Sequence, residues 1–388
     1  MHKLINKIDY RGVNNMVKVM SIFGTRPEAI KMAPVVKALE AAEGIKSIVC
    51  VTAQHREMLD QVLALYDIKP DHDLDIMKSG QTLSEITARV LLGLEAVMKE
   101  DRPDLILVHG DTSTTFSASL AAFYNGIKVG HVEAGLRSYD KLSPFPEEMN
   151  RSLVGRMADL HFAPTRGNYD NLISEHIKEE TIFITGNTVI DALHKVVETD
   201  YVFEQAELNE VDYDNKKVIF MTAHRRENLG QPMENIFGAV RHLVEMNDEV
   251  EVVFPMHLNP KVREIAYKHL EGHDRIHLIE PLEYKPSANL MKRCYMILTD
   301  SGGIQEEGPS LGKPVVVLRK ETERPEAVAA GTVKMAGVEK QDIIDISQTL
   351  ISDAEAYEAM SEAMNPYGDG TASEQIVQAI LDTFNKMS

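Results

Sequence analysis

The sequence predicts an α/β protein of two similar Rossmann-like domains, each a doubly wound parallel sheet, with a cleft between them. Three observations lead there. Short β-branched apolar runs alternate with longer segments of helical period, the signature of parallel strands covered on both faces. The alternation stops at an acidic stretch after residue 200 and then begins again. The chain is 388 residues long, more than one hydrophobic core accommodates.

In the first half, residues 17–23, 46–52, 105–109, 129–132 and 160–163 read as strands, and 29–42, 82–99 and 114–124 as helices. A strand at 182–185 leads through Gly186 and Asn187 to a helix over 189–198. After the acidic stretch 200–217, strands follow at 218–222, 251–255, 275–278, 296–299 and 315–318. The segment NPYGDG at 365–370 interrupts the last helical region, so a final helix over 373–387 is free to cross back to the first domain. The expected organisation is a polar extension over 1–15, a first domain over 16–186 joined by the helix 373–388, and a second domain over 187–372.

Composition narrows the function classes. The formal charge of −19 repels nucleic acid and anionic membrane, so an anionic ligand needs a local basic pocket. No run approaches the roughly 20 apolar residues of a membrane span, and residues 1–15 lack the apolar core of a signal peptide. The two cysteines, Cys50 and Cys294, each lie in an apolar strand-like run, which excludes a disulfide framework and fits a reducing cytoplasm. The histidines are scattered, and no metal motif or nucleophile elbow is present.

Ligands of parallel sheets bind beyond the carboxyl ends of the strands, so the residues that follow each strand matter most. After the first strand, Gly24 allows a tight turn, Pro27 suits a first helical turn, and Arg26 and Lys31 lie one turn apart. This is not a dinucleotide fingerprint, and an ordinary βα turn explains it as well. The strand at 218–222 runs into His224, Arg225 and Arg226, a positive cluster equally consistent with a solvated basic turn. The strand at 296–299 runs into Asp300, Ser301, Gly302 and Gly303 before a helix, a geometry that offers backbone amides to a phosphate. Glu307 can accept from ribose hydroxyls or simply favour the helix start, and Arg324 can supply a countercharge. Three acids mark the first half. Asp111 can cap a helix at Ser113, and Glu147 can serve a helix from Met149. Glu133, at the end of an apolar strand, is costly to bury without a partner.

Taken in order, FGTRPEAIK at 23–31, TAQHREMLDQ at 52–61, HGDT at 109–112, GHVEAGLR at 130–137, PEEMNR at 146–151, ITGNTVID at 184–191, AHRRE at 223–227, LTDSGGIQEE at 298–307 and TERPEA at 322–327 resemble the bacterial non-hydrolysing UDP-N-acetylglucosamine 2-epimerases. The resemblance runs from about Met16 to the C-terminus. It implies the GT-B glycosyltransferase-type fold, a homodimer, UDP bound mainly by the second domain, and a product that feeds a cell-surface glycan. It implies a reaction without cofactor or metal: UDP is eliminated to give 2-acetamidoglucal and adds back after C2 is protonated on the opposite face, which interconverts UDP-N-acetylglucosamine and UDP-N-acetylmannosamine. By the same resemblance Asp111, Glu133, Glu147 and His224 are catalytic, and Arg26, Lys31, Ser301, Gly302, Gly303, Glu307 and Arg324 contact UDP. Some members carry a second, activating UDP-N-acetylglucosamine site. Gln54, Glu57, Gly80 and Arg225 correspond to it, with Glu57 and Gly80 departing from its usual residues. Gly308 stands where the family commonly has Ala, a change expected to loosen its helix. The rival readings are a hydrolysing 2-epimerase, a glycosyltransferase on the same fold, and a sugar-nucleotide-binding regulator; the three intact acids weigh against the last.

Overall fold

A computed structural model describes residues 16–53, 56–78 and 80–387. The expected extension over 1–15 lies outside the described residues. The chain divides into two compact units, one running to Thr188 and resuming at Thr371, the other Val189–Gly370.

The first unit is built on a seven-stranded parallel sheet: β1 (Val17–Phe23), β2 (Ile45–Val51), β3 (His72–Asp73), β4 (Leu105–His109), β5 (Lys128–Val132), β6 (Leu160–Ala163) and β7 (Ile182–Ile184), in the order β3-β2-β1-β4-β5-β6-β7. The second unit holds a six-stranded parallel sheet of β8 (Lys217–Thr222), β9 (Val250–Pro255), β10 (Ile276–Ile279), β11 (Met296–Thr299), β12 (Val315–Val317) and β13 (Val333–Met335), in the order β10-β9-β8-β11-β12-β13. Both are doubly wound, and the direction of winding reverses between β1 and β4 in one and between β8 and β11 in the other. Those are the points where such sheets leave a crevice at their carboxyl ends. Continuous burial of β4 and β11 reflects helices on both faces. The terminal helix Ala372–Met387 packs on the helix Arg26–Ala41 of the first unit.

Two short strands were not expected. β3 and β13 are two and three residues long. Both lie at a sheet edge, where pairing with β2 and β12 creates the strand and no apolar run announces it. The acidic stretch before β8 also contains the short helix Ala206–Glu210.

Local chemistry explains why the helix after β1 starts where it does. Thr25 caps it, and Glu28 completes the capping box by accepting from the Thr25 amide at 2.8 Å. Gly24 is demanded by space. A Cβ there meets Thr52 Oγ1 at 1.9 Å and Thr114 Oγ1 at 2.9 Å, and those two buried hydroxyls hydrogen-bond each other at 3.0 Å. Gly24→Ala is therefore expected to destabilise the fold by about 2 kcal/mol, read as a lower urea midpoint with an unchanged m-value.

Gly308 requires a correction. Its Cβ would come within 2.6 Å of Val315 Cγ2 and 2.8 Å of Ile297 Cδ1, so the glycine lets its helix lie close to β11 and β12 rather than loosening it.

Candidate active site

The first unit gathers its charged residues behind β1, β4 and β5. Asp111 follows β4 by way of Gly110, which takes the left-handed conformation at φ 65°. The neighbouring helix Ser113–Tyr124 is capped by Thr112, not Asp111, so capping does not account for this acid. Asp111 is about one-quarter exposed, and its nearest cation is Arg151, at 3.4 Å. Burial raises its pKa to about 6; Arg151 opposes that rise, and the nearby charges of Glu133 and Glu147 add to it. Of the three acids predicted from sequence, Glu133 and Glu147 are thus both close enough to act on Asp111.

Glu133 follows β5 with φ 61°, a left-handed conformation that is costly for a residue with a side chain. Its carboxylate accepts from Lys31 and, at 3.0 Å, from Asn187 Nδ2. His109 Nε2 lies 3.6 Å away. Burial pushes the His109 pKa down to about 4, so this imidazole is neutral at physiological pH. Lys31, expected from the resemblance to contact UDP, pairs with the carboxylate of Glu133 here.

Glu147 opens the helix Glu147–Met157, two residues earlier than the sequence suggested. The next residue, Glu148, is buried and accepts from the amides of Ser138 at 2.9 Å and Tyr139 at 3.0 Å, while Arg151 Nε lies 2.8 Å from it. Asn150 donates to the Asp111 carbonyl at 2.8 Å. His109, Glu148, Asn150, Arg151 and Asn187 escaped the sequence reading as site residues, although each lies inside one of the quoted motifs. Arg26 occupies the first turn of its helix, half-buried.

The second unit places its residues behind β8 and β11. His224 and Arg225 follow β8, and Asp300 to Gly303 follow β11. A pocket of about 170 Å³ opens beside His224, lined also by His257, Pro281, Leu282, Ser287 and Ser301. Gly302 and Gly303 have no positive φ, and a Cβ on either meets nothing nearer than 3.7 Å. Neither the backbone nor the packing of this chain requires glycine there. Arg324 pairs with Glu306, and Gln305 is held by Ser301 and Thr322. Glu307 lies in the first turn of the helix Ile304–Ser310.

Of the residues matched to an activating site, Gln54 lies outside the described residues. Glu57 and Gly80 are exposed, and Arg225 is tied to Asp300. Among the described residues no group of three or more His, Cys, Asp or Glu is arranged to hold a metal, and no helix is long and apolar enough to cross a membrane. Both cysteines are free and buried, and burial pushes each thiol pKa up to about 12.

Two doubly wound parallel domains, one with clustered acids at its switch point and the other with paired glycines and basic residues, define an enzyme of the two-domain, GT-B-like α/β class. The UDP-N-acetylglucosamine 2-epimerase family model matches residues 37–381, and the chain belongs to that family. It is 57% identical over 365 residues to the UDP-N-acetylglucosamine 2-epimerase of Bacillus subtilis, with 94% of this chain and 95% of that one aligned. Among solved structures, Staphylococcus aureus MnaA with UDP matches at 56% identity, a TM-score of 0.86 and coverage of 95% and 97%. The Neisseria meningitidis UDP-GlcNAc 2-epimerase bound to UDP-GlcNAc matches at 53% identity, a TM-score of 0.85 and coverage of 94% and 100%.

Proposed function

We propose that this protein interconverts UDP-N-acetylglucosamine and UDP-N-acetylmannosamine without hydrolysing them and without a cofactor. The proton on C2 is not adjacent to a carbonyl, so direct removal is difficult. Breaking the C1–O bond first builds oxocarbenium character that carboxylates stabilise. Loss of the C2 proton to a base then gives 2-acetamidoglucal and UDP. Protonation of C2 on the other face and return of the UDP oxygen to C1 complete the inversion. Two faces need two acid/base groups, and Asp111, Glu133 and Glu147 supply them jointly.

The observation that carries this reading is the triad of interacting acids in the first unit, with Asp111 shifted to about 6, where it exchanges protons near neutral pH. Gly302 and Gly303, with Ser301, Arg26, Lys31, Glu307 and Arg324, are assigned to UDP, and His224 to the reacting end of the diphosphate. We also propose a homodimer, checked by sedimentation, and a role for the product in surface glycan synthesis. Activation at a second site involving Gln54, Glu57 and Arg225 predicts sigmoidal dependence of rate on UDP-N-acetylglucosamine; a hyperbolic dependence removes it.

Proton NMR in D₂O, without nicotinamide or metal, tests the reaction. The expected result is UDP-N-acetylmannosamine with deuterium at C2 of both epimers. Free N-acetylmannosamine with UDP assigns the hydrolysing reaction instead, and an unchanged spectrum at high substrate removes the epimerase reading.

A further inference from the structure

We infer that Asp300 is a positioning residue for His224: its buried carboxylate holds the imidazole as the Nδ1–H tautomer and leaves Nε2 as the accepting nitrogen for the pocket. The inference deepens the assignment of His224 to the active site and rests on it for its catalytic consequence.

Asp300 follows β11 and has no exposed surface. Its Oδ2 accepts three hydrogen bonds, from the amides of His224 and Arg225, each at 2.8 Å, and from Asn228 Nδ2 at 3.2 Å. Two of these come from the main chain of the turn after β8, so the turn itself sets the orientation of the carboxylate. The second oxygen, Oδ1, is buried and makes no hydrogen bond, and the ring nitrogen His224 Nδ1 lies 3.3 Å from it. A carboxylate only accepts, so the ring nitrogen facing it carries the proton.

The other groups around the ring do not compete for that role. His257 stacks on it with ring centroids 5.4 Å apart and an interplanar angle of 14°. Arg225 turns its Nε to the Asp300 carbonyl at 3.2 Å. Burial lowers the His224 pKa most, and His257 and Arg225 lower it further; Asp300 alone favours the protonated ring. The neutral ring is therefore the working form, and Asp300 chooses which nitrogen is bare.

Holding the turn and choosing the tautomer are separable functions. In Asp300→Asn the amide oxygen accepts the same two backbone amides. The amide NH₂ then faces Nδ1 and forces the opposite tautomer, the logic by which an Asp-to-Asn change disables a serine-protease triad.

The test is nitrogen NMR of the full-length protein with ¹⁵N-labelled imidazoles. Of the 14 histidines, His224 is assigned by the signal lost in His224→Gln. At pH 7.5 the wild type is expected to carry the proton on Nδ1 and Asp300→Asn on Nε2, with kcat reduced about 10²- to 10⁴-fold and KM changed far less. A wild-type signal showing the proton on Nε2 overturns the inference without any variant. A reversed tautomer in Asp300→Asn with kcat retained within about threefold also overturns it. An inactive wild-type enzyme removes the epimerase reading instead, and the wild-type tautomer then decides the placement of the proton alone.

Discussion

Asp111→Asn is expected to lose about 10²- to 10⁴-fold in kcat while folding at least as well as the wild type. Both halves follow from one cause. Burial and the charges of Glu133 and Glu147 hold the Asp111 pKa near 6, against 3.8 for an exposed aspartate, with Arg151 only partly offsetting them. Between those values the folded chain keeps a proton that the unfolded chain releases. The contribution of Asp111 to wild-type stability therefore falls as pH rises from about 4 to about 6, then stays level. The neutral asparagine carries no such penalty. Above pH 7 the variant is expected to be more stable by up to about 3 kcal/mol, less whatever is lost with the Arg151 contact. The pH dependence of kcat/KM should show an inflection near 6 in the wild type and none there in the variant. Parallel urea melts at pH 5 and pH 8 check the stability half. A variant that is inactive because it is unfolded, or one with full activity, contradicts the assignment.

Glu148→Ala is expected to do the opposite and unfold the first unit more readily, by about 3–5 kcal/mol. Glu148 and Arg151 are both buried, at 3% and 5% exposure. Removing the carboxylate leaves two amides of the Ser138–Tyr139 turn without their acceptor and Arg151 with only Asp111, at 3.4 Å. Stripping a buried cation of its main partner costs far more than the net worth of the pair. Arg151 is then freed to draw closer to Asp111, so residual activity should show its inflection below pH 6. Chemical denaturation and the pH profile of the same preparation test both statements. Stability within about 1 kcal/mol of the wild type removes Glu148 from this role.

The apolar pattern placed most strands well because a buried parallel strand is continuously apolar and needs no partner to be recognised. β1, β4, β6 and β11 match the ranges read from the sequence residue for residue. The edge strands β3 and β13 were invisible because a neighbour's register makes them. The candidate site residues were chosen as strand-end motifs, since doubly wound topology puts ligands there. Their partners were not. Lys31 meets Glu133 across 102 positions of chain, and the His224 amide reaches Asp300 across 76. No spacing rule links residues so far apart; the order of strands in the sheet does.

What the sequence determined by itself is thus the alternation of elements, the restart that makes two domains, the residues that follow each strand, and the family. These depend on local composition and on motifs read in order. Only the tertiary structure decided that Thr112 caps in place of Asp111, that Lys31 pairs with Glu133, that Gly308 answers to Val315 and Ile297, and that Asp300 faces an imidazole. Each of these depends on desolvation and on distances of a few ångströms between distant parts of the chain, which exist only once the sheets have formed.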